Sequence, residues 1–180
     1  MRAILAILVA ATLTFAQKPE YHPNQLAPFV PSPYQIVSKM LELAKIKPGE
    51  KVYDLGSGDG RVVIFAVQKY DAKAVGIELS PRLVKSSQEE IQRLGLTDRA
   101  SIVHGDVFEA ELGDADVVIL YLMRDSNNTL KPKLEKALKP GARVISHDYE
   151  IEGWKPQHEE RVDAYRRSHK IYVYRMPPQK

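Results

Sequence analysis

Cysteine is absent from the 180 residues, which excludes disulfides, cysteine nucleophiles and thiolate metal sites while leaving the redox compartment open. Internal repeats and low-complexity tracts are missing too. So is any apolar run near the roughly 20 residues that a helical membrane span needs. Charge of one sign is scarce: the net charge of +3 permits weak attraction to an acidic partner but does not argue for nucleic acid. A hydrophobic fraction of 44% and a charged fraction of 27% are ordinary for a soluble globular chain, and the length fits one domain with a real core.

Three segments are legible. Met1-Arg2 precedes an apolar run from Ala3 to Phe15 broken only by two threonines, and Thr14-Phe-Ala16-Gln17 offers small residues before a cleavage point. Residues 1–16 therefore read as an export signal or a membrane-targeting segment. Residues 17–33 hold five prolines (Pro19, Pro23, Pro28, Pro31, Pro33) and read as an extended arm. The folded domain is 34–180. Ser32-Pro33-Tyr34-Gln35 predicts a helix start with Ser32 as N-cap, ahead of an apolar stripe at Ile36, Val37, Met40, Leu41 and Ala44.

Lys51-Val-Tyr-Asp54-Leu-Gly56-Ser57-Gly58-Asp59-Gly60 is the most informative stretch. A strand runs into a loop with glycine at every second position, as backbone passing close to a ligand requires. The third glycine comes one residue earlier than in the dinucleotide pattern G-x-G-x-x-G, which ranks a nicotinamide dehydrogenase last. Further apolar strands end at Glu78-Leu79, at Gly105-Asp106-Val107 and at Tyr121-Leu122, and a fifth strand ends at His147-Asp148. Glu78 lies where a carboxylate accepts ribose hydroxyls. Helices are predicted at Arg61–Tyr70, at Pro81–Leu94 (capped by Ser80, stopped by Gly95) and at about Leu130–Leu138. Two terminal strands, Glu159–Arg166 and His169–Met176, turn at Arg167-Ser168. Alternation of strand and helix predicts an α/β fold with a mostly parallel sheet.

Asp54-x-Gly56-x-Gly58-x-Gly60 resembles motif I of the class I S-adenosylmethionine (SAM) dependent methyltransferases. From Pro28 onward, Phe29-Val-Pro31-Ser32-Pro-x-Gln35, Asp54-Leu-Gly-Ser-Gly-Asp-Gly-Arg61-Val-Val and Gly76-Ile-Glu78-Leu together resemble the small bacterial and mitochondrial protein-lysine methyltransferases, whose mitochondrial members modify the ATP synthase c-subunit and the adenine nucleotide translocator. This implies a Rossmann-like seven-stranded sheet closed by a C-terminal antiparallel hairpin. It implies SAM as cofactor, held by Asp54, Gly56, Ser57, Gly58, Gly60, Glu78, Leu79, Asp106 and Val107, the last two beside the adenine. It also implies a protein lysine as acceptor. Tyr121-Leu-Met-Arg124-Asp-Ser-Asn127 departs from the mitochondrial relatives around Arg124, so the acceptor's identity stays open.

Aromatic faces attract both a sulfonium and a methylammonium, which makes Tyr121 and Tyr34 the candidate catalytic residues, the alternatives being a core aromatic for Tyr121 and a surface residue on the first helical turn for Tyr34. His147-Asp148 has the chemistry of a metal site but no evident third ligand, so no metal is expected. The competing functions are a small-molecule N- or O-methyltransferase and a non-catalytic SAM-binding protein. A monomer acting on a protein substrate, membrane-associated through residues 1–16 or exported, is expected, without nucleic acid. An exported enzyme would lack an obvious SAM supply, which favours the cytoplasmic face of the membrane as the alternative location.

Overall fold

The computed structural model describes residues 29–179; the segment 1–16 and the arm as far as residue 28 lie outside the described residues. The elements run α1 (Tyr34–Leu43), β1 (Lys51–Leu55), α2 (Arg61–Tyr70), β2 (Lys73–Glu78), α3 (Pro81–Arg93), β3 (Ala100–His104), β4 (Val117–Leu120), α4 (Arg124–Ala137), β5 (Arg143–His147), β6 (His158–Ala164) and β7 (Arg167–Arg175). The strands form one seven-stranded sheet in the order β3-β2-β1-β4-β5-β7-β6. The first five are parallel, while β7 runs antiparallel to both β5 and β6. This is the predicted mostly parallel sheet with its antiparallel terminal pair.

Central parallel strands are apolar along their whole length because both faces are covered. Val52, Val117, Ile119, Ile145, Ile171 and Val173 face one core shared with α1, α2 and α3. Tyr53, Leu55, Val118, Leu120, Val144, Tyr172 and Tyr174 face the other, where Leu130 and Leu134 of α4 pack. The chain builds outward from β1 to β3 and then returns to place β4 against β1. The carboxyl ends of β1 and β4 therefore flank the crevice where ligands collect in open α/β sheets.

Several boundaries follow the sequence closely. The bounds of α2 are those predicted, and α3 starts after Ser80, whose Oγ accepts from the Leu83 amide at 3.5 Å. Three expectations are corrected. The fourth helix begins at Arg124 rather than near Leu130 and runs through Pro132. The terminal hairpin turns at Tyr165-Arg166, both at positive φ (48° and 61°), not at Arg167-Ser168. Ser32 does not cap α1, whose N-cap is Pro33; its hydroxyl is committed elsewhere. Among the described residues no helix is long and apolar enough to cross a membrane.

Gly76 of β2 fixes how the glycine-rich loop sits on the sheet. A Cβ there would lie 2.6 Å from both Ile102 Cδ1 and Ser57 Cβ; the isoleucine tip can swing aside, but Ser57 Cβ moves only with its backbone. Gly76→Ala should therefore destabilise the fold by about 1–3 kcal/mol, the usual cost of overpacking. Gly105→Ala, whose added Cβ meets nothing within 4 Å, should leave the melting temperature nearly unchanged. Equal melting temperatures for the two variants would show that Ser57 does not depend on Gly76.

Candidate active site

The loop after β1 is shaped by three glycines in left-handed backbone, Gly56 (φ 81°), Gly58 (54°) and Gly60 (76°). It folds back on the end of β2: the amides of Gly56 and Ser57 donate to the Ile77 carbonyl at 2.9 and 3.0 Å. Glu78 completes the clamp. Its Oε2 accepts from the Gly58 amide and its Oε1 from the Ser80 amide, each at 2.8 Å. The strand-end acid thus joins the loop to the start of α3, and each oxygen keeps a lone pair for a ribose hydroxyl. Glu78→Ala would strand two amides as well as a ligand contact. It should lower SAM affinity by about 1–3 kcal/mol and the melting temperature with it. Titration calorimetry giving wild-type affinity would remove Glu78 from the site.

Asp54 is buried at the end of β1, and no described N–H or O–H donates to its carboxylate. Burial, reinforced by the negative charges of Glu78 and Asp59, pushes it up to about 8. Ser57 Oγ is likewise buried without a partner among the described residues. A lone carboxyl, an unsatisfied hydroxyl and a backbone free of Cβ atoms fit a cofactor bearing a cationic aminoacyl end and a ribose. Further along the strand ends, Asp106 Oδ1 accepts from the Phe108 amide at 2.9 Å, closing a tight turn. Val107 is buried against Ile77. Half-buried Leu79 pairs its carbonyl with His104 Nε2 at 3.0 Å. The structure thus brings Asp54, Gly56, Ser57, Gly58, Gly60, Glu78, Leu79, Asp106 and Val107 to adjacent strand ends.

Opposite them lies the last part of the arm. The Phe29 ring covers Gly58 so closely that a Cβ there would stand 2.9 Å from Phe29 Cδ2. Arg61 ties the arm down, donating to the Ser32 carbonyl at 2.8 Å while paired with Asp59. Ser32 Oγ then reaches His147 Nδ1, 2.9 Å away at the end of β5. Residues 29–33 thus cross the strand ends from the glycine loop to β5.

The two candidate catalytic tyrosines are separated. Tyr34, 52% exposed, packs on α2, with its ring 5.5 Å from that of Phe65 and 4.8 Å from the Arg61 guanidinium. Tyr121 follows β4 and stacks on His147 with ring centroids 3.8 Å apart. Burial, with Asp148's charge nearby, raises the Tyr121 phenol above its usual value, so its hydroxyl stays protonated. Burial also pushes His147 down to about 4, against the opposing pull of Asp148. Asn127 of α4 joins the linker to the end of β5: its amide donates to the Met123 carbonyl at 2.9 Å, and its buried Nδ2 donates to Ser146 Oγ and to the Tyr149 carbonyl at 3.2 and 3.1 Å.

Sequence reasoning missed His169, which lies 2.9 Å from His147 Nε2 through its Nδ1. The signal was present: His169 continues the inward row of Ile171 and Val173. It missed Ser32 because the capping pattern accounted for the same hydroxyl. Trp154 is a packing residue, edge-on to Tyr174 at 5.5 Å and donating to Glu135 Oε1 at 2.8 Å.

Residues 54–158 match the family model of the ANTKMT methyltransferase domain. A protein-lysine N-methyltransferase of Saccharolobus islandicus (strain REY15A) is 45% identical over 148 residues, 82% of this chain and 92% of that protein. The adenine nucleotide translocase lysine N-methyltransferase of Mus musculus is 34% identical over 129 residues, 72% of this chain but 56% of that protein, so the chain spans little more than half of it. Among solved structures, a Salinibacter ruber RNA methyltransferase in complex with S-adenosyl-L-homocysteine superposes with a TM-score of 0.73 at 40% identity, covering 80% of this chain and 93% of that one.

Proposed function

We propose that this chain, which belongs to the ANTKMT methyltransferase domain family and is a SAM-dependent methyltransferase, transfers the methyl group to a lysine side chain of a protein. The observation that carries this reading is the 45% identity, over 82% of this chain, to the Saccharolobus islandicus protein-lysine N-methyltransferase.

SAM supplies a methyl group on a sulfonium, an already activated leaving group. The chain's own work is to bind, align and keep water out. Asp54, Glu78 and the glycine loop hold the cofactor. Tyr121, with its phenol kept protonated, acts as a positioning group: its oxygen accepts a hydrogen bond from the acceptor nitrogen while its ring faces the cationic centre. The acceptor amine sheds its proton to solvent before transfer. Phe29 and Ser32 roof the crevice, and Tyr34 steadies that roof through Arg61.

A second reading, an RNA acceptor, is favoured by the 40% identical Salinibacter ruber protein; the modest net charge of +3 weighs against it. Residues 1–16 would bring the protein to a membrane, on its cytoplasmic face or by export, and the acceptor would then be a membrane-associated protein; the apolar run at 3–15 supports this.

Transfer of labelled methyl from SAM into membrane, soluble and RNA fractions tests the reading. Label destroyed by protease and located on lysine by mass spectrometry is expected. Label destroyed by ribonuclease, or found only in small molecules, would overturn the lysine assignment. No label in any fraction would favour a protein that binds SAM without catalysis.

A further inference from the structure

At the far end of the crevice, three side chains converge in a way that the methyl-transfer reading does not use. His147 ends β5. Asp148 follows in left-handed backbone (φ 62°), an uncommon conformation for a residue with a side chain, and this turns its carboxylate toward β7. His169, near the start of β7, faces both. His147 Nε2 and His169 Nδ1 are 2.9 Å apart, His169 Nδ1 and Asp148 Oδ2 3.1 Å, and His147 Nε2 and Asp148 Oδ2 3.5 Å. The two imidazoles are 0% and 4% exposed.

Counting hydrogens shows what is unusual. Three atoms meet within a triangle, each able to present a lone pair inward. A hydrogen on His169 Nδ1 can point at one of the other two, or be shared poorly between them. Ser32 Oγ serves His147 Nδ1 in either tautomer, because a hydroxyl both donates and accepts. With the proton on His147 Nδ1 donated to Ser32 Oγ at 2.9 Å, Nε2 is left as an acceptor facing two others. One shared proton satisfies this triangle badly; a single cation satisfies all three corners. Tetrahedral bonds of about 2.0–2.1 Å place neighbouring ligand atoms roughly 3.3 Å apart, close to the spacings seen.

We propose that His147 Nε2, Asp148 Oδ2 and His169 Nδ1 form a site for a divalent transition-metal ion of the zinc type. Two imidazoles and one carboxylate suit zinc and its neighbours in the first row, not magnesium or calcium, which take oxygen ligands. Supporting contacts of the usual kind are in place: Ser32 Oγ can accept from His147 Nδ1–H, the tautomer that frees Nε2 for an ion, and the Lys170 amide donates to Asp148 Oδ1 at 3.0 Å. The opposing group is Arg167, whose Nη2 lies 2.8 Å from Asp148 Oδ2 on a half-exposed side chain. It competes with the ion for that oxygen. A bound ion would join the end of β5 to β7 beneath Tyr121 and, through Ser32, hold the arm in place.

Tag-free full-length protein, stripped with chelator and dialysed, is titrated with Zn(II) by calorimetry, with Mg(II) as the comparison ion. One Zn(II) per chain, a raised melting temperature and no heat from Mg(II) are expected. His169→Ala should weaken Zn(II) binding roughly 100-fold or more, and Arg167→Ala should tighten it several-fold. If His169→Ala does not fold, the Arg167→Ala comparison and the visible spectrum of the Co(II)-loaded wild type still decide. A tetrahedral Co(II) spectrum supports the site. An octahedral spectrum, no stoichiometric Zn(II) binding, or weaker binding by Arg167→Ala overturns it.

Discussion

Gly58→Val should give a folded protein that no longer binds SAM. Gly58 sits at φ 54°, backbone that a β-branched residue occupies only at a cost of about 1–3 kcal/mol. Its amide is one of the two that orient Glu78, and the surface above it is where Phe29 rests. A valine therefore strains the loop, loosens the Glu78 clamp and fills the space between loop and arm at once. The hydrophobic cores lie below the strand ends and are untouched. We expect affinity to fall roughly 100-fold or more by titration calorimetry, with far-ultraviolet circular dichroism unchanged and Gly58→Ala intermediate. Near-native affinity in the valine variant would mean that the cofactor does not approach this loop.

The second large effect is a pH dependence of stability carried by Asp54. Its carboxyl titrates at about 8 in the folded chain against an ordinary value of 3.8. Between those values the folded state holds a proton that the unfolded state has lost, so stability falls as pH rises. The contribution is fully present below about 4 and gone above about 8. Converted at about 1.36 kcal/mol per pH unit, the span is at most on the order of 6 kcal/mol. Asp54→Asn should remove this slope, leaving the variant more stable than wild type at pH 9 and no more stable at pH 4. Saturating SAM, whose positive charge would pair with the carboxylate, should flatten the wild-type slope as well. Parallel curves for wild type and Asp54→Asn would show that the carboxyl is ionised throughout and that its burial is offset by a partner.

Such a costly carboxyl is visible in the sequence as a strand-end acid before a glycine run. Glu78 and Asp106 are legible in the same way, because strand, turn and acid recur in register along the chain. Contacts between segments distant in sequence are not. The Ser32 hydroxyl meets His147 across 115 positions, and a local capping pattern explains Ser32 sufficiently to hide that. The start of α4 lies about six residues before its expected place, because the polar stretch 124–129 carries little apolar periodicity to announce a helix. The helix accepts a proline in its interior and is anchored by the buried Asn127. The terminal turn shifts because Tyr165 and Arg166 adopt positive φ without the glycine or asparagine that normally announces it.

The double tie on Ser32 bears on how many methyl groups are delivered in one visit. Arg61 holds the Ser32 carbonyl beside the glycine loop while His147 holds the Ser32 hydroxyl at β5, so the cofactor loop and the β5 wall share one roof residue, and lifting Ser32 frees both. Were spent cofactor to leave by lifting Ser32, an acceptor held at Tyr121 as proposed would be released with it. Methylation beyond the first step would then be distributive: partly modified intermediates would accumulate in solution and be recaptured at random, and the ratio of enzyme to substrate would set the final degree of modification.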